Sequence, residues 1–169
     1  MIPSYANFGG KIHGGILLSL MDKVAYSCAS RHTGAYCVTV SVENVEFKAP
    51  VEVGELVSLK ARVNYVGRTS LIIGIRVESE NVKTGLIKHT NTSYFTMVAK
   101  DESNNPTLVP PLLLESKEDI RRFFESIIRK YNRNYFNQEM DKARSNADLK
   151  QELKQLQNER CVIINSLTP

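Results

Sequence analysis

The chain has 169 residues, of which 42% are hydrophobic and 24% are charged, and it carries a formal net charge of +4. These values are typical of a globular chain with one domain, a sizeable core and a short appendage. Half of the 22 basic residues lie between positions 117 and 160, interleaved with acidic ones, which is typical of a solvated helix and argues against a nucleic-acid partner.

The three cysteines do not form a disulfide framework in sequence. Cys28, Cys37 and Cys161 are odd in number and lack metal-ligand spacing, which favours a reduced setting and predicts no metal site. No apolar run approaches the roughly 18 residues of a membrane span, and the first residues carry no charged leader. We therefore expect a cytoplasmic protein without a membrane partner.

Residues 7–29 combine two glycine pairs with an apolar helical run that a single carboxylate, Asp22, interrupts. On a helix with 3.6 residues per turn, one face is predicted to carry Leu17, Leu20, Val24 and Cys28. Asp22 would project from the opposite side, beside Gly15, Ala25 and Ala29. This arrangement predicts that something other than a leucine core lies over the carboxylate.

The glycines before the helix predict a site for a developing negative charge. Backbone N–H groups at a helix N-terminus are unpaired, and the helix dipole adds partial positive charge. Such amides can polarise a carbonyl as it becomes an oxyanion. Asp22 follows about eight residues later, roughly 12 Å along the helix, so a second subunit across a twofold axis would have to supply the carboxylate. A simple glycine turn and a solvated surface aspartate remain the plainer interpretation.

The remainder of the chain up to residue 100 reads as strands. Gly34 is predicted to end the helix, and residues 36–48 alternate as a strand with a bulge near Glu43 and Asn44. Three more strands are predicted at 56–66, 71–79 and 86–99, with a hairpin loop at 81–85. The plan is α+β, a curved antiparallel meander wrapped around one helix, and its open edges favour dimerisation.

A proline-bearing linker leads into a C-terminal helical segment. The run from Ser116 to Asp119 resembles a capping box. A helical apolar stripe follows, formed by Ile120, Phe124, Ile127, Tyr131 and Tyr135. A shorter stripe in the charged tail comprises Leu149, Leu153 and Leu156. The predicted domains are therefore 1–112 and a helical extension at 113–169, which is either packed on another subunit or partly mobile.

Several short motifs, taken in order, resemble the hotdog-fold acyl-CoA thioesterases of the brain acyl-CoA hydrolase and YciA type. The resemblance covers about residues 3–125. Its motifs are His13-Gly14-Gly15, Leu20-Met21-Asp22, the strand 38–42, the segments 47–51 and 53–55, Gly67-Arg68-Thr69-Ser70 and the strand end 94–99. Members of this family carry a further strand before the segment that begins here at Met1, so this sheet is expected to lack an edge strand unless the sequence is truncated.

The resemblance implies the hotdog fold and hydrolysis of acyl-CoA to a free acid and CoA, with no cofactor besides the substrate. It also implies dimers with two composite sites, commonly assembled into a hexamer as trimers of dimers. Asn7 and Asp22 match the asparagine and aspartate that face each other across the dimer in that family. By resemblance Asp22 would be general base or nucleophile, and Asn7 would orient the water or the thioester.

The other site residues follow from the same motifs. The Gly14 and Gly15 amides would polarise the thioester carbonyl, and His13 would support their turn. Arg68, Thr69 and Ser70 match the segment near bound CoA, where a guanidinium suits phosphate and hydroxyls suit pantetheine. A non-catalytic acyl-CoA or lipid-binding module remains the alternative, because fold does not determine function. A hydratase is disfavoured, because the sequence lacks a catalytic Asp and His pair at loop spacing.

Overall fold

The computed structural model describes residues 1–156 and 159–162. Its elements, after a short 3-10 turn at Pro3–Tyr5, are α1 (Gly14–Thr33), β1 (Tyr36–Val42), β2 (Leu56–Val66), β3 (Ser70–Glu80), β4 (Ile87–Lys100), α2 (Lys117–Ser145) and α3 (Leu149–Gln155). The chain divides into two compact units, Met1–Ser126 and Ile127–Pro169. The domain boundary after residue 112 stays a prediction. In the described ranges, no helix is both long and apolar enough to cross a membrane.

The four strands form one antiparallel sheet in the order β1-β4-β3-β2. The bounds predicted for the last three strands are confirmed to within one residue, and Gly85, at φ 69°, closes the hairpin between β3 and β4. The predicted meander is wrong for β1, which pairs with β4 instead of β2. The segment 43–55 carries the chain from one edge of the sheet to the other, so β1 and β2 are the two edge strands.

Helix α1 packs on the sheet through a face different from the predicted one. The buried residues are Leu17, Met21, Ala25 and Ala29, whereas Leu20, Val24 and Cys28 are only half-buried. The prediction is confirmed for Leu17, and the other three buried positions each lie one residue later than predicted, about 100° further around the helix. Small alanine side chains let the helix approach the sheet closely, where the core includes Leu71, Phe95 and Met97. Ala25 and Ala29 thus line the core and do not lie on the side that carries Asp22.

The bulge predicted near Glu43 and Asn44 is wrong, because the irregularity in β1 lies earlier in the strand. The pairing between β1 and β4 shifts between Thr39 and Ser41, so Val40 is the extra residue. Beyond Val42 the chain leaves the regular ladder, although the Glu43 N–H still donates to the carbonyl of Tyr94, at 2.9 Å. A bulge turns the neighbouring side chains and increases the local twist. Its real position is beside Thr39.

Both helix ends of interest follow the sequence signals. Gly34 adopts the left-handed conformation, at φ 67°, and ends α1 as predicted. The capping box before α2 is confirmed, because the Asp119 N–H donates to Ser116 Oγ at 3.1 Å and the Ser116 N–H donates to Asp119 Oδ2 at 3.0 Å. The reciprocal pair satisfies two amides that a helix start otherwise leaves unpaired.

Glu55 holds the turn before β2 through a buried carboxylate. Glu55 is only 5% exposed. Its Oε2 accepts the Glu52 N–H at 2.9 Å, and its Oε1 pairs with Lys88 Nζ at 2.9 Å. Burial acts to raise the pKa of Glu55, but these hydrogen bonds and the Lys88 charge outweigh burial, so the pKa lies below its ordinary value.

Glu55→Gln is expected to lower the free energy of unfolding by about 1–3 kcal/mol at pH 7, because it removes a charge-assisted partner from Lys88. Because the folded-state pKa is lowered, the stabilisation is present above the unfolded pKa of about 4.3 and is lost as pH falls through the folded value. Urea unfolding of both proteins should therefore converge towards low pH. Glu52→Gln, in an exposed pair with Lys11, is the matched control and should cost less than about 1 kcal/mol. Equal losses for the two variants would contradict the assignment.

Candidate active site

Asp22 lies on the exposed side of α1, facing the edge strand β1. Its Oδ1 accepts a hydrogen bond from the Oγ1 hydroxyl of Thr39, at 2.6 Å. This short contact fixes the rotation of the carboxylate and leaves Oδ2 as the oxygen that can take a proton from an incoming group. The structure therefore places an oriented carboxylate, and not a freely rotating one, at the surface between α1 and β1.

Thr39 is a site residue that the sequence analysis missed. It stands seventeen residues after Asp22, and only the placement of β1 against α1 brings them together. Its position beside the Val40 bulge explains how an edge-strand side chain turns towards the helix. The only sequence signal for Thr39 is a hydroxyl within a valine-rich strand. This signal is weak, because hydroxyl residues are common on the solvent face of edge strands.

Asp22 borders two cavities. One, of about 560 Å³, is lined mainly by apolar groups, which include Leu18, Val45 and the buried ring of Phe95. The other, of about 360 Å³, is bordered by Asp22 and Thr39 together with Lys23, Tyr26 and Tyr36. The two tyrosine rings lie 6.0 Å apart between centroids. Asp22 is therefore common to the linings of both cavities.

Asn7 lies in an exposed turn of its own. Its Oδ1 accepts the N–H of Gly9 at 2.9 Å and the N–H of Lys11 at 3.1 Å, and Gly10 takes φ 74° to close the turn. Within the described part of the chain, no hydrogen bond joins Asn7 to Asp22. The structure of one chain thus holds both predicted residues at the surface without bringing them together.

His13 caps α1. Its Nδ1 accepts the N–H of Gly15 at 2.9 Å, and its carbonyl accepts the N–H of Ile16 at 3.0 Å. The expectation of a free Gly15 amide is therefore wrong for this conformation of the chain, because the cap occupies it. A Cβ at Gly14 would lie 3.2 Å from the ring of Phe47, so a side chain at that position would crowd the ring. The backbone at Gly14 is therefore left uncovered by a side chain of its own.

Arg68, Thr69 and Ser70 form the turn from β2 into β3. The Gly67 N–H donates to the carbonyl of Ser70 at 2.7 Å, and the Ala99 N–H donates to the carbonyl of Thr69 at 3.0 Å. Arg68 itself is exposed. Leu71 of β3 follows this turn and aligns with Met97 of β4, which in turn aligns with Thr39 of β1. Two strand spacings therefore separate Leu71 from Thr39 in the same chain, a distance of roughly 10 Å.

Residues 9–86 match the family model described as the thioesterase superfamily. A Helicobacter pylori relative, protein VdlD, is 47% identical over 130 residues, which cover 77% of this chain and 74% of the relative. An uncharacterized acyl-CoA thioester hydrolase of Zymomonas mobilis is 38% identical over 128 residues, covering 70% of this chain and 82% of that protein.

Solved structures share the fold. An apo-hexameric acyl-CoA thioesterase superposes with a TM-score of 0.78 at 36% identity, covering 81% of this chain and 88% of that one. An acyl-CoA hydrolase from Staphylococcus aureus, solved with butyryl-CoA and CoA, gives a TM-score of 0.76 at 26% identity over 86% of this chain and 88% of that one. The same hydrolase has been solved with an asparagine, an aspartate or a threonine changed to alanine.

Proposed function

The chain belongs to the thioesterase superfamily with the hotdog fold, and from this premise we propose that it hydrolyses acyl-CoA to a free carboxylic acid and CoA. The observation that carries the proposal is the hydrogen-bonded pair of Asp22 and Thr39, in which Asp22 borders both an apolar cavity and a second cavity that holds Lys23 and two tyrosines. Hydrolysis of a thioester needs an activated water and a group that stabilises the developing oxyanion. The Asp22 and Thr39 pair would activate the water, and the backbone amides at the start of α1 would stabilise the oxyanion.

Asp22 would accept the proton of a water molecule while that water attacks the thioester carbonyl. The Gly14 amide of the partner subunit, at the positive end of that subunit's α1 dipole, would stabilise the oxyanion of the tetrahedral intermediate. Collapse of the intermediate breaks the carbon–sulfur bond, and the CoA thiolate takes up a proton. In the alternative nucleophilic route, the Asp22 carboxylate attacks the thioester carbonyl and expels the CoA thiolate, which takes up a proton. The mixed anhydride that results is then hydrolysed by water to the free acid and the regenerated carboxylate.

Asn7 would act on the Asp22 of the partner subunit. With its Oδ1 held by the Gly9 and Lys11 amides, Asn7 can present its Nδ2 amino group as a donor to the water or the thioester. Spacing supports the grouping, since fifteen and seventeen positions separate Asn7, Asp22 and Thr39 in this chain. The same intervals separate the asparagine, aspartate and threonine changed in the S. aureus hydrolase.

A dimer would form along β1. This strand is at the sheet edge, and Tyr36 and Val40 on it are 57% and 56% exposed. Pairing of two such edges would continue the sheet and bring a partner towards Asp22. Three of these dimers would form a hexamer, and relatives of solved structure are described as hexameric.

Different parts of the substrate would occupy the two cavities. The acyl group would occupy the apolar cavity beside Leu18 and Phe95, and the pantetheine arm would leave through the cavity that holds Lys23. Arg68, Thr69 and Ser70 would contact the phosphates or the pantetheine of CoA. No cofactor is required in this route, because water and the substrate supply all the reacting atoms.

Release of free thiol from a panel of acyl-CoA esters, from C2 to C18, tests the activity directly. The enzyme is expected to release one thiol for each acid formed. The second candidate is the non-catalytic acyl-CoA or lipid-binding module. Binding of CoA measured by calorimetry without any thiol release would favour the module and overturn the hydrolase.

Thr39→Val is expected to lower kcat about 10- to 100-fold with little change in KM, because the carboxylate loses the donor that orients it. Thr39→Ser keeps the hydroxyl and should restore most of the rate. Steady-state thiol release over a range of butyryl-CoA concentrations separates kcat from KM. A valine variant with the wild-type kcat would show that the hydrogen bond has no positioning role.

A further inference from the structure

The segment that follows β4 runs beside the turn that joins β2 to β3, residues 67–70. The Thr107 N–H donates to the carbonyl of Ala99 near the end of β4, at 2.9 Å. The Val109 N–H then donates to the carbonyl of Arg68 within the turn, at 3.0 Å. The backbone of this segment therefore connects the end of β4 to the β2–β3 turn.

Thr69 lies between two peptide planes that are held from outside the turn. The Val109 N–H holds the carbonyl of Arg68, and the Ala99 N–H holds the carbonyl of Thr69, each at 3.0 Å. Because a peptide group is planar, anchoring these two carbonyls restricts the φ and ψ angles of the residue between them. Those two angles set the direction of the Thr69 side chain. Val109 and Ala99 thus orient the centre of the turn.

Val109 is itself fixed on two sides. Its side chain is half-buried and packs against the core cluster that contains Leu71 and Met97. The next carbonyl, that of Pro110, accepts a hydrogen bond from Nε2 of His32 in the last turn of α1, at 3.1 Å. A donor supported by both the core and α1 has little freedom to follow a moving turn. The turn therefore adapts to Val109, and not the reverse.

We propose that Val109 is a positioning residue for CoA binding, whose N–H holds the β2–β3 turn in the conformation that receives CoA. This role rests on the proposed function, in which Arg68, Thr69 and Ser70 contact the phosphates or the pantetheine. Backbone that is held in place before the ligand arrives lowers the entropy cost of binding. Loss of the anchor would therefore weaken the contacts to CoA and leave the chemistry at Asp22 unchanged.

Val109→Pro removes the N–H and keeps an apolar side chain of similar size. The dissociation constant of CoA, measured by calorimetry, is expected to rise about 3- to 10-fold, as for the loss of one backbone hydrogen bond. In thiol release from butyryl-CoA, KM should rise by the same factor while kcat stays within about twofold. An unchanged affinity of Val109→Pro for CoA would overturn the proposal.

Two control variants separate the hydrogen bond from side-chain packing and from the stiffness of an added proline. Val109→Ala keeps the N–H and should bind CoA within about twofold of the wild type. Leu108→Pro adds a proline at an exposed neighbouring position, whose N–H has no hydrogen-bond partner among the described residues. It should also keep the wild-type affinity. A loss in either control as large as in Val109→Pro would assign the effect to packing or stiffness and would refute a role for the N–H.

A truncated substrate separates the turn from the rest of the site. Butyryl-N-acetylcysteamine carries the thioester but lacks the phosphates and most of the pantetheine, so it would not reach the turn. Val109→Pro should hydrolyse it at the wild-type rate, while kcat/KM for butyryl-CoA falls about 3- to 10-fold. Equal losses for the two substrates would indicate a structural change of the whole site and would contradict the positioning role.

The hydrolase and the role of Val109 can fail separately. If the wild type binds CoA without releasing thiol, the hydrolase is wrong and the affinities still decide the role of Val109. If the wild type hydrolyses butyryl-CoA and Val109→Pro has the same KM, only the role of Val109 is wrong. A wild type that neither hydrolyses butyryl-CoA nor binds CoA would overturn both.

Hydrogen exchange on the wild type replaces the variant if circular dichroism shows Val109→Pro unfolded. A ligand that prefers the anchored turn stabilises the anchor, so saturating CoA should slow exchange of the Val109 amide at least about threefold. The Asn105 amide, which donates to Asp101 Oδ1 at 2.8 Å, is the control and should exchange at the same rate with and without CoA. No change at Val109 would refute the proposal.

Discussion

Asp22→Asn is expected to lower kcat by about 10³-fold or more while the protein keeps its fold. The amide has the shape of the carboxylate, and its oxygen can still accept the hydrogen bond from Thr39. It cannot take a proton from water or attack a thioester, so both proposed routes are lost. Because Asp22 is exposed, the free energy of unfolding should change by less than about 0.5 kcal/mol.

Thiol release from butyryl-CoA measures the loss, and urea unfolding checks the fold. Glu46→Gln removes an exposed carboxylate that borders neither cavity and should retain the wild-type rate. A residual rate for Asp22→Asn within tenfold of wild type would show that this carboxylate is neither the general base nor the nucleophile.

Mixing the inactive variants Asn7→Ala and Asp22→Asn is expected to restore part of the wild-type activity. If Asn7 of one subunit works with Asp22 of its partner, a heterodimer of Asn7→Ala and Asp22→Asn holds one site with both changes and one intact site. Random reassociation of equal amounts makes half of the dimers mixed, so about one quarter of the wild-type rate is expected from the twofold geometry.

Coexpression of the two variants with different affinity tags allows the mixed dimers to be isolated and assayed. Each parent variant alone should stay below about 1% of the wild-type rate, given the size of positioning and base effects. Mixed dimers as inactive as the parents would show that both residues serve a site within one chain.

The sequence predicts the architecture well where local signals act alone. The alternation of β2, β3 and β4 and the capping box at Ser116 are properties of neighbouring residues, and the structure confirms them. The resemblance to the hotdog thioesterases adds the correct fold. The position of β1 beside β4 was not predictable from alternation, because pairing between strands distant in sequence leaves no local mark.

The helix face shows why burial is harder to predict than helicity. Counting large apolar residues favoured Leu20 and Val24, whereas close packing against a sheet selects the smaller Ala25 and Ala29. The apolar character of the side chains alone therefore does not predict which face of the helix must carry small residues.

The site was predictable only in part for the same reason. Asp22 stands out in an apolar run, but Thr39 joins it through a contact between a helix and an edge strand. The Gly15 amide is occupied because the imidazole of His13 turns back over the helix start. Such a rotamer is decided by local geometry that a residue pattern does not contain.

The irregularity at Val40 also restricts what can extend the sheet. A regular edge strand presents evenly spaced donors and acceptors, and any extended peptide can add to it in several alignments. The extra residue in β1 interrupts that spacing, so a foreign strand could match only one half of the edge at a time. The homologous strand of another copy carries the same interruption. We therefore expect this edge to pair with a second copy of the chain more readily than with a foreign strand.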